Sequence, residues 1–269
     1  MSAAARTPYL PYGTATYRRV LDVRVTADRA VGELIDDFHH FRATLDLDGR
    51  RIVRARGEAV RYPWQTCPGA AVPLRALEGM EVAPSLTAVT RRTASKLQCT
   101  HLFDAASFAV AGAARGPGGR RYEIAIPDRI DDCTDATLAR DGEPVLAWTM
   151  RGSAVESPPP FAGRKLFGDG FAAWAEDTLD PDLAEATLLF QRALVISMGR
   201  AYDAEAAVDA ADLPTIPMGA CHTYQDGTVE HGLRVPGTVR NWSDADEIAA
   251  EVSRATPPEL AALAHPSTP

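Results

Sequence analysis

The chain has 269 residues, 46% of them hydrophobic, which is enough for one large domain or two ordinary ones around a buried core. Its 36 acidic residues outnumber 28 basic ones, giving a formal charge of -8, so no global positive field exists to gather phosphate backbones and no nucleic-acid partner is expected. The opening MSAAARTPYLPYGTATYRRV has no basic flank leading into an apolar run, and no stretch reaches the roughly eighteen apolar residues of a membrane span, so a cytoplasmic protein without a membrane partner is expected.

In chain order, FHHFRATLDLDGRRIVRARGEAV reads as two strands around a turn at Asp48 and Gly49, where glycine accepts the positive φ of a tight hairpin. Alternation puts His39, Phe41, Ala43, Leu45 and Leu47 on one face and His40, Arg42, Thr44 and Asp46 on the other, so His39 points inward. Asp36 and Asp37 before it read either as oxygen ligands or as solvated turn residues. RYPWQTCPGAAVP follows, its Pro68 and Pro73 suited to the first turn of a short helix that ends at Gly79, which places Cys67 near a helix N-terminus. From Thr100 to about Ala113, Leu102, Phe103, Ala106, Ala109, Val110 and Ala113 recur at helical spacing, and ARGPGGRR ends that helix and links two halves.

The second half restarts with IDDCTDATLARDGEPVLAWTMRGSAV, two strand-like runs about Asp141 and Gly142. It echoes the first: ATLDLDG with ATLARDG, AVRYP with AVESP, and HLFDAASFAVAG more loosely with LLFQRALVISMG, the pattern of a decayed duplication in which the positions answering to Cys67 and Cys99 fall near Ala162 and Ala186. DPDLAEATLLFQRALVISMGR predicts a helix over 181–198, capped by Asp180 with Pro181 in its first turn. Beyond it come GACHTYQDG, a short helix capped at Ser243 and a Pro-rich tail. The expected fold is α+β: two halves with the marks of a duplication, each a small antiparallel sheet backed by helices, with a Cys/His-bearing half at 1–115, a degenerate half at 120–240 and a C-terminal helix and tail at 241–269.

Four cysteines at 67, 99, 133 and 221 in a long chain read as reduced thiols, available to bind metal or react. Cys99 and His101 stand two apart at a helix start, where unpaired N–H groups and the helix dipole favour a thiolate. Two ligands cannot enclose a zinc ion, so Cys67, a Cys221/His222 pair in a Gly-flanked loop and His39 are the further ligand candidates. Each has a plain alternative as a packed thiol or a core histidine. Cys133 lies among carboxylates in DDCTDAT and is set aside. A G-x-S-x-G elbow, a phosphate loop, G-x-G-x-x-G and H-E-x-x-H are all missing, so no nucleotide cofactor is expected.

The order DDFHHFRATLDLDGRRIV, RYPWQTCPGAAVPLRALEGM, LQCTHLFDAASFAVAGA resembles an uncharacterised bacterial domain family marked by an R-x-P-x-x-x-C element and a C-T-H-L element. More faintly it resembles iron-sulfur scaffold proteins of the NifU and SufU type across residues 36–115. That likeness implies that Cys67 matches the family's second ligand cysteine and Cys99 its last. The neighbourhood of Asp36 and Asp37 stands where the family has its first cysteine, and Gln98 where some members have histidine. The reading that follows is a metal-binding protein with zinc or iron at a Cys/His site of Cys67, Cys99, His101, Cys221, His222 and His39. If it is an enzyme, Cys99 and His101 carry a hydrolase or lyase reaction on a small organic substrate. The alternative is a non-catalytic iron-sulfur or sulfur-carrier scaffold served by a sulfur or iron donor protein.

Overall fold

The computed structural model describes residues 12–168, 170–213, 216–242 and 244–255, with Ala245 as backbone only. Four antiparallel strands, β1 (Thr16–Val25), β2 (Arg29–Asp36), β3 (His40–Asp48) and β4 (Arg51–Arg61), precede a run of short helical turns that includes α1 (Ala71–Leu74). The long helix α2 (Thr100–Arg115) follows. A second set, β5 (Gly118–Pro127), β6 (Cys133–Arg140), β7 (Glu143–Arg151) and β8 (Ala154–Ser157), leads into α3 (Phe171–Thr178) and α4 (Pro181–Ser197), and α5 (Ala245–Ala255) comes last. The expected cap of this last helix, Ser243, and the Pro-rich tail lie outside the described residues.

The protein is α+β. Its eight strands form one antiparallel sheet in the order β4-β3-β2-β1-β5-β6-β7-β8, so the two small sheets expected from the sequence join edge to edge through β1 and β5. Both sets run as a four-strand meander followed by a long helix. The residue echo follows that repeat only in part. AVRYP and AVESP fall at β4 and β8, and the helical echo falls on α2 and α4, whereas ATLDLDG and ATLARDG fall on β3-β4 and β6-β7, one strand out of step.

In β1, alternation sends Tyr17, Arg19, Leu21 and Val23 toward α2, and sends Val20 to the back, where it meets Ile35 and Ile248 of α5. Helix α2 is apolar nearly all round and is buried from His101 to Gly112, with the sheet below it and the turn Leu86–Arg91 beside it. Burial of side chains such as Leu102, Phe103, Phe108 and Val110 stabilises this layer by about 1.5–3 kcal/mol each. The helix sits so close to β2 that a Cβ on Gly32 would fall 2.0 Å from the Ala105 carbonyl oxygen. Beyond Ala113 the chain turns at Gly116, whose φ of +98° an L side chain rarely adopts. Helix α4 covers the second set in the same way, with Phe190 against Trp148 of β7 at 4.7 Å between ring centroids. Among the described residues, no helix is long and apolar enough to cross a membrane.

Candidate metal centre

The sheet and α2 bring together three potential ligands from distant parts of the chain. Asp36 is the last residue of β2, and its Oδ1 accepts the amides of Phe38 (2.9 Å) and His39 (2.8 Å), which folds the chain back into β3. That turn sets His39 one residue before the strand, with its ring toward α2. His101 is the second residue of α2. The two imidazoles stack, with centroids 3.5 Å apart and planes 21° from parallel. His39 Nδ1 lies 3.1 Å from Asp36 Oδ1, and His101 Nε2 lies 3.3 Å from Asp36 Oδ2. The His101 contact is close but poorly aligned, so this nitrogen is buried without a hydrogen bond. Among the described residues, Asp36, His39 and His101 form the one set of His, Cys, Asp or Glu side chains whose ligand atoms all lie within 4.8 Å of one another.

A polar layer surrounds this trio. Arg19 is the cross-strand partner of Asp36 and donates to its Oδ2 at 2.8 Å; Tyr17, two residues earlier on the same face, donates to the same oxygen at 2.8 Å and accepts from Arg19 Nε at 2.8 Å. One turn along α2 from His101, Asp104 takes Arg192 of α4 at 2.5 Å and lies 3.8 Å from Arg19 Nη1. Next to Asp36, the carboxylate of Asp37 pairs with Arg200 (2.6 Å), which also reaches Asp128 (2.7 Å).

Burial decides the charges of the imidazoles. It pushes His101 down to about 3, with His39 beside it acting in the same direction and Asp36 opposing, and it lowers His39 against the pull of Asp36. Burial also acts to raise Asp36, but its positive neighbours outweigh it and hold the carboxyl well below its usual range. With both imidazoles neutral, Arg19 is the cation that keeps it ionised. Burial keeps the Tyr17 phenol protonated, with its pKa raised well above the usual value. At neutral pH the trio therefore holds one carboxylate and two uncharged imidazoles, the protonation states in which these groups ligate a metal.

The thiols lie elsewhere in the same layer. Cys67 opens a short helical turn after β4, Cys99 immediately precedes α2, and Cys221 opens the turn His222–Tyr224. These segments abut: Thr66 and Thr223 hydroxyls are 2.9 Å apart, Cys67 Sγ is 3.6 Å from Thr223 Oγ1, and Thr100 Oγ1 donates to the Ala220 carbonyl at 3.1 Å. The ring of His222 lies over Gly69, where an added Cβ would come 2.8 Å from its Nε2. The helix start was expected to favour a Cys99 thiolate, and the structure reverses this. Burial raises the Cys99 thiol well above its usual value, and Cys67 and Cys221 beside it add to the effect. Burial likewise pushes Cys67 up to about 11 and raises Cys221. His101, two residues past Cys99, turns away to the histidine stack. Cys133 is half-buried at the start of β6.

Sequence reading thus missed Tyr17, Arg19 and Asp104, and left Asp36, with Asp37, open between an oxygen ligand and a solvated turn residue. The available signal was the i, i+2 spacing of Tyr17 and Arg19 in an alternating strand, which sets two polar groups on an otherwise apolar inner face. A hollow of about 500 Å³ lies on the back of the sheet between β1, β5–β7 and Ile248, and Asp36, His39 and His101 do not line it.

The fold and this cluster define an α+β protein with a buried Asp/His/His centre between a sheet and its covering helix. Residues 18–114 match a protein-family profile described as protein of unknown function (DUF2889), and that span contains Asp36, His39, Cys67, Cys99 and His101. No curated protein matches the chain.

Proposed function

We propose that the protein binds a divalent transition metal through Asp36, His39 and His101, and uses it as a Lewis acid in hydrolysis or elimination on a small organic substrate. The observation that carries this reading is the approach of the three ligand atoms to within 4.8 Å. Two imidazoles and one carboxylate suit Zn²⁺, Fe²⁺ or Co²⁺ and leave coordination positions for water or substrate. A cation seated here takes the place of the contacts that now join the rings to Asp36, and the orphaned His101 Nε2 gains a partner. Tyr17 and Arg19 fit the role of outer hydrogen-bond donors that orient the ligating carboxylate. The His39 side chain, 15% exposed where the other two are nearly sealed, marks the side of access.

The test is elemental analysis of the full chain purified anaerobically, with Zn²⁺ and Co²⁺ titrations of the metal-stripped protein. About one metal per chain in the wild type, lost in His39→Ala and His101→Ala and retained in Cys67→Ala, is the expected result. Equal uptake by wild type and both histidine variants rejects the reading.

A second reading, sulfur carriage, is favoured by the abutting segments that bear Cys67, Cys99 and Cys221. It predicts a persulfide on one of these thiols after incubation with a polysulfide, whose sulfane sulfur the thiolate attacks while the shortened polysulfide leaves. Their raised pKa values weigh against it, because the thiolate is the form that accepts sulfur.

A further inference from the structure

Arg61 ends β4 and is the first residue of the R-x-P-x-x-x-C element, yet the proposed metal centre makes no direct use of it. Its side chain is 7% exposed, and its Nη donors go to main-chain oxygens, three of them in the turn that carries Asp36 and His39. Nη2 donates to the carbonyls of Asp36 (2.7 Å) and His39 (3.2 Å), and Nη1 to those of Asp37 (3.3 Å) and Thr238 (2.7 Å). The remaining donor, Nε, meets Glu251 Oε1 on α5 at 2.9 Å. Arg240 holds the other oxygen of Glu251 at 3.0 Å, while its own amide donates to Asp37 O at 2.7 Å.

The tie between the turn and the C-terminal helix therefore converges on Glu251, which Arg61 reaches directly and Arg240 reaches from its own bond to Asp37. Helix α5 is also seated on the back of the sheet by a small apolar contact, in which Ile248 packs against Val20 and Ile35 with Trp242 and Val252 at its margin, and by Arg42 of β3, which donates to the Ala255 carbonyl at 3.0 Å. A fork of five fixed donors can hold several carbonyls in one geometry, whereas an ammonium group cannot. A buried guanidinium also needs its carboxylate partner to remain in place.

We infer that Arg61 is a positioning residue for the Asp36-His39 turn, and that Glu251 on α5 sets its geometry, so the C-terminal helix tunes cation affinity on the opposite face of the sheet. This rests on the proposed metal centre, and the test separates the two. Glu251→Gln, Arg61→Lys and Arg61→Met are made in the full chain, with Glu58→Gln as a control. Each is read in two ways: Co²⁺ affinity with its visible d-d spectrum, and the ring resonances of His39 in the metal-free protein.

Affinity weakened about tenfold in Glu251→Gln and Arg61→Lys, and more in Arg61→Met, is expected, with a changed d-d band and displaced His39 resonances while Glu58→Gln matches wild type. Wild-type affinity, spectrum and His39 resonances in Glu251→Gln and Arg61→Lys overturn the inference. Should Arg61→Met not fold, those two variants decide. If the wild type takes up no Co²⁺, the metal reading fails and the His39 resonances alone judge the tie: displaced, it stands; unmoved, it falls.

Discussion

His39 and His101 lie face to face at 3.5 Å, one delivered by a strand turn and the other by the first turn of a helix more than sixty residues later. Burial disfavours the protonated form of both rings, and for His101 a charge on the stacked His39 acts in the same direction. Nitrogen-detected NMR of the metal-free protein should therefore show neither ring titrating near the ordinary value of about 6.5, with His101 holding out to about 3. Normal titration of His101 would mean that the rings are solvated and apart.

The same shift sets the acid limb of stability. In the unfolded chain His101 takes its proton near the ordinary imidazole value of about 6.5, while in the folded protein it does so at about 3. Between those values the unfolded state binds more protons, so this group's contribution is fully present above the upper value and is lost as pH falls toward the lower one. The slope is at most about 1.4 kcal/mol per pH unit, for one proton. Denaturant unfolding at a series of pH values should show a shallower acid limb for His101→Leu than for wild type, even though the substitution alters stability at neutral pH. Parallel curves would assign the acid limb to other groups.

Tyr17 offers a test of the outer layer that leaves all three ligands in place. Its hydroxyl sits between Asp36 Oδ2 and Arg19 Nε, so Tyr17→Phe removes one donor to the carboxylate and one acceptor for the guanidinium. Cation affinity should drop about tenfold, the lower end of what outer-layer partners contribute, with the metal stoichiometry unchanged. Calorimetric titration with Zn²⁺ checks this, and an affinity equal to wild type would show that the Tyr17 hydroxyl does not orient Asp36 for the metal.

Much of the framework could be read from local pattern. The hairpin at Asp48 and Gly49, the strands about Asp141 and Gly142, and the helices at α2 and α4 all carry turn glycines, caps or apolar periodicity strong enough to stand without tertiary help; Asp180 accepts the Leu183 amide as its cap position implies. The centre was harder to read, because its members meet only through long-range pairing. His101 was singled out for its neighbour Cys99, but its ring belongs with His39. Asp36 matters because β1 lays Arg19 and Tyr17 beside it, a register no single segment encodes. The Cys99 thiolate expectation failed because local dipole reasoning took no account of the sheet and loops that bury the helix start.

Gly32 connects that packing to the centre. Because its position on β2 is pressed against the Ala105 carbonyl, Gly32→Ala forces a backbone apart, which no side-chain rotation can relieve. A loss of about 3 kcal/mol or more is expected from such overpacking, along with displacement of His101, one turn up the same helix. Equilibrium denaturation gives the first and metal uptake the second. A variant with wild-type stability would mean that α2 does not lie as close to β2 as described.

The cysteines divide by environment, and alkylation can separate them. Attack on iodoacetamide requires the thiolate, and burial raises the pKa of Cys67, Cys99 and Cys221 while closing off Cys67 and Cys99 physically. Cys133, half-buried at the start of a strand, has no such cover. Native protein at neutral pH should therefore label first at Cys133, more slowly at Cys221, and at Cys67 and Cys99 only when urea opens the fold, as peptide mass mapping over time would show. Rapid native labelling of Cys99 would contradict the burial that raises its pKa, and would return that residue to consideration as a nucleophile beside the histidine stack.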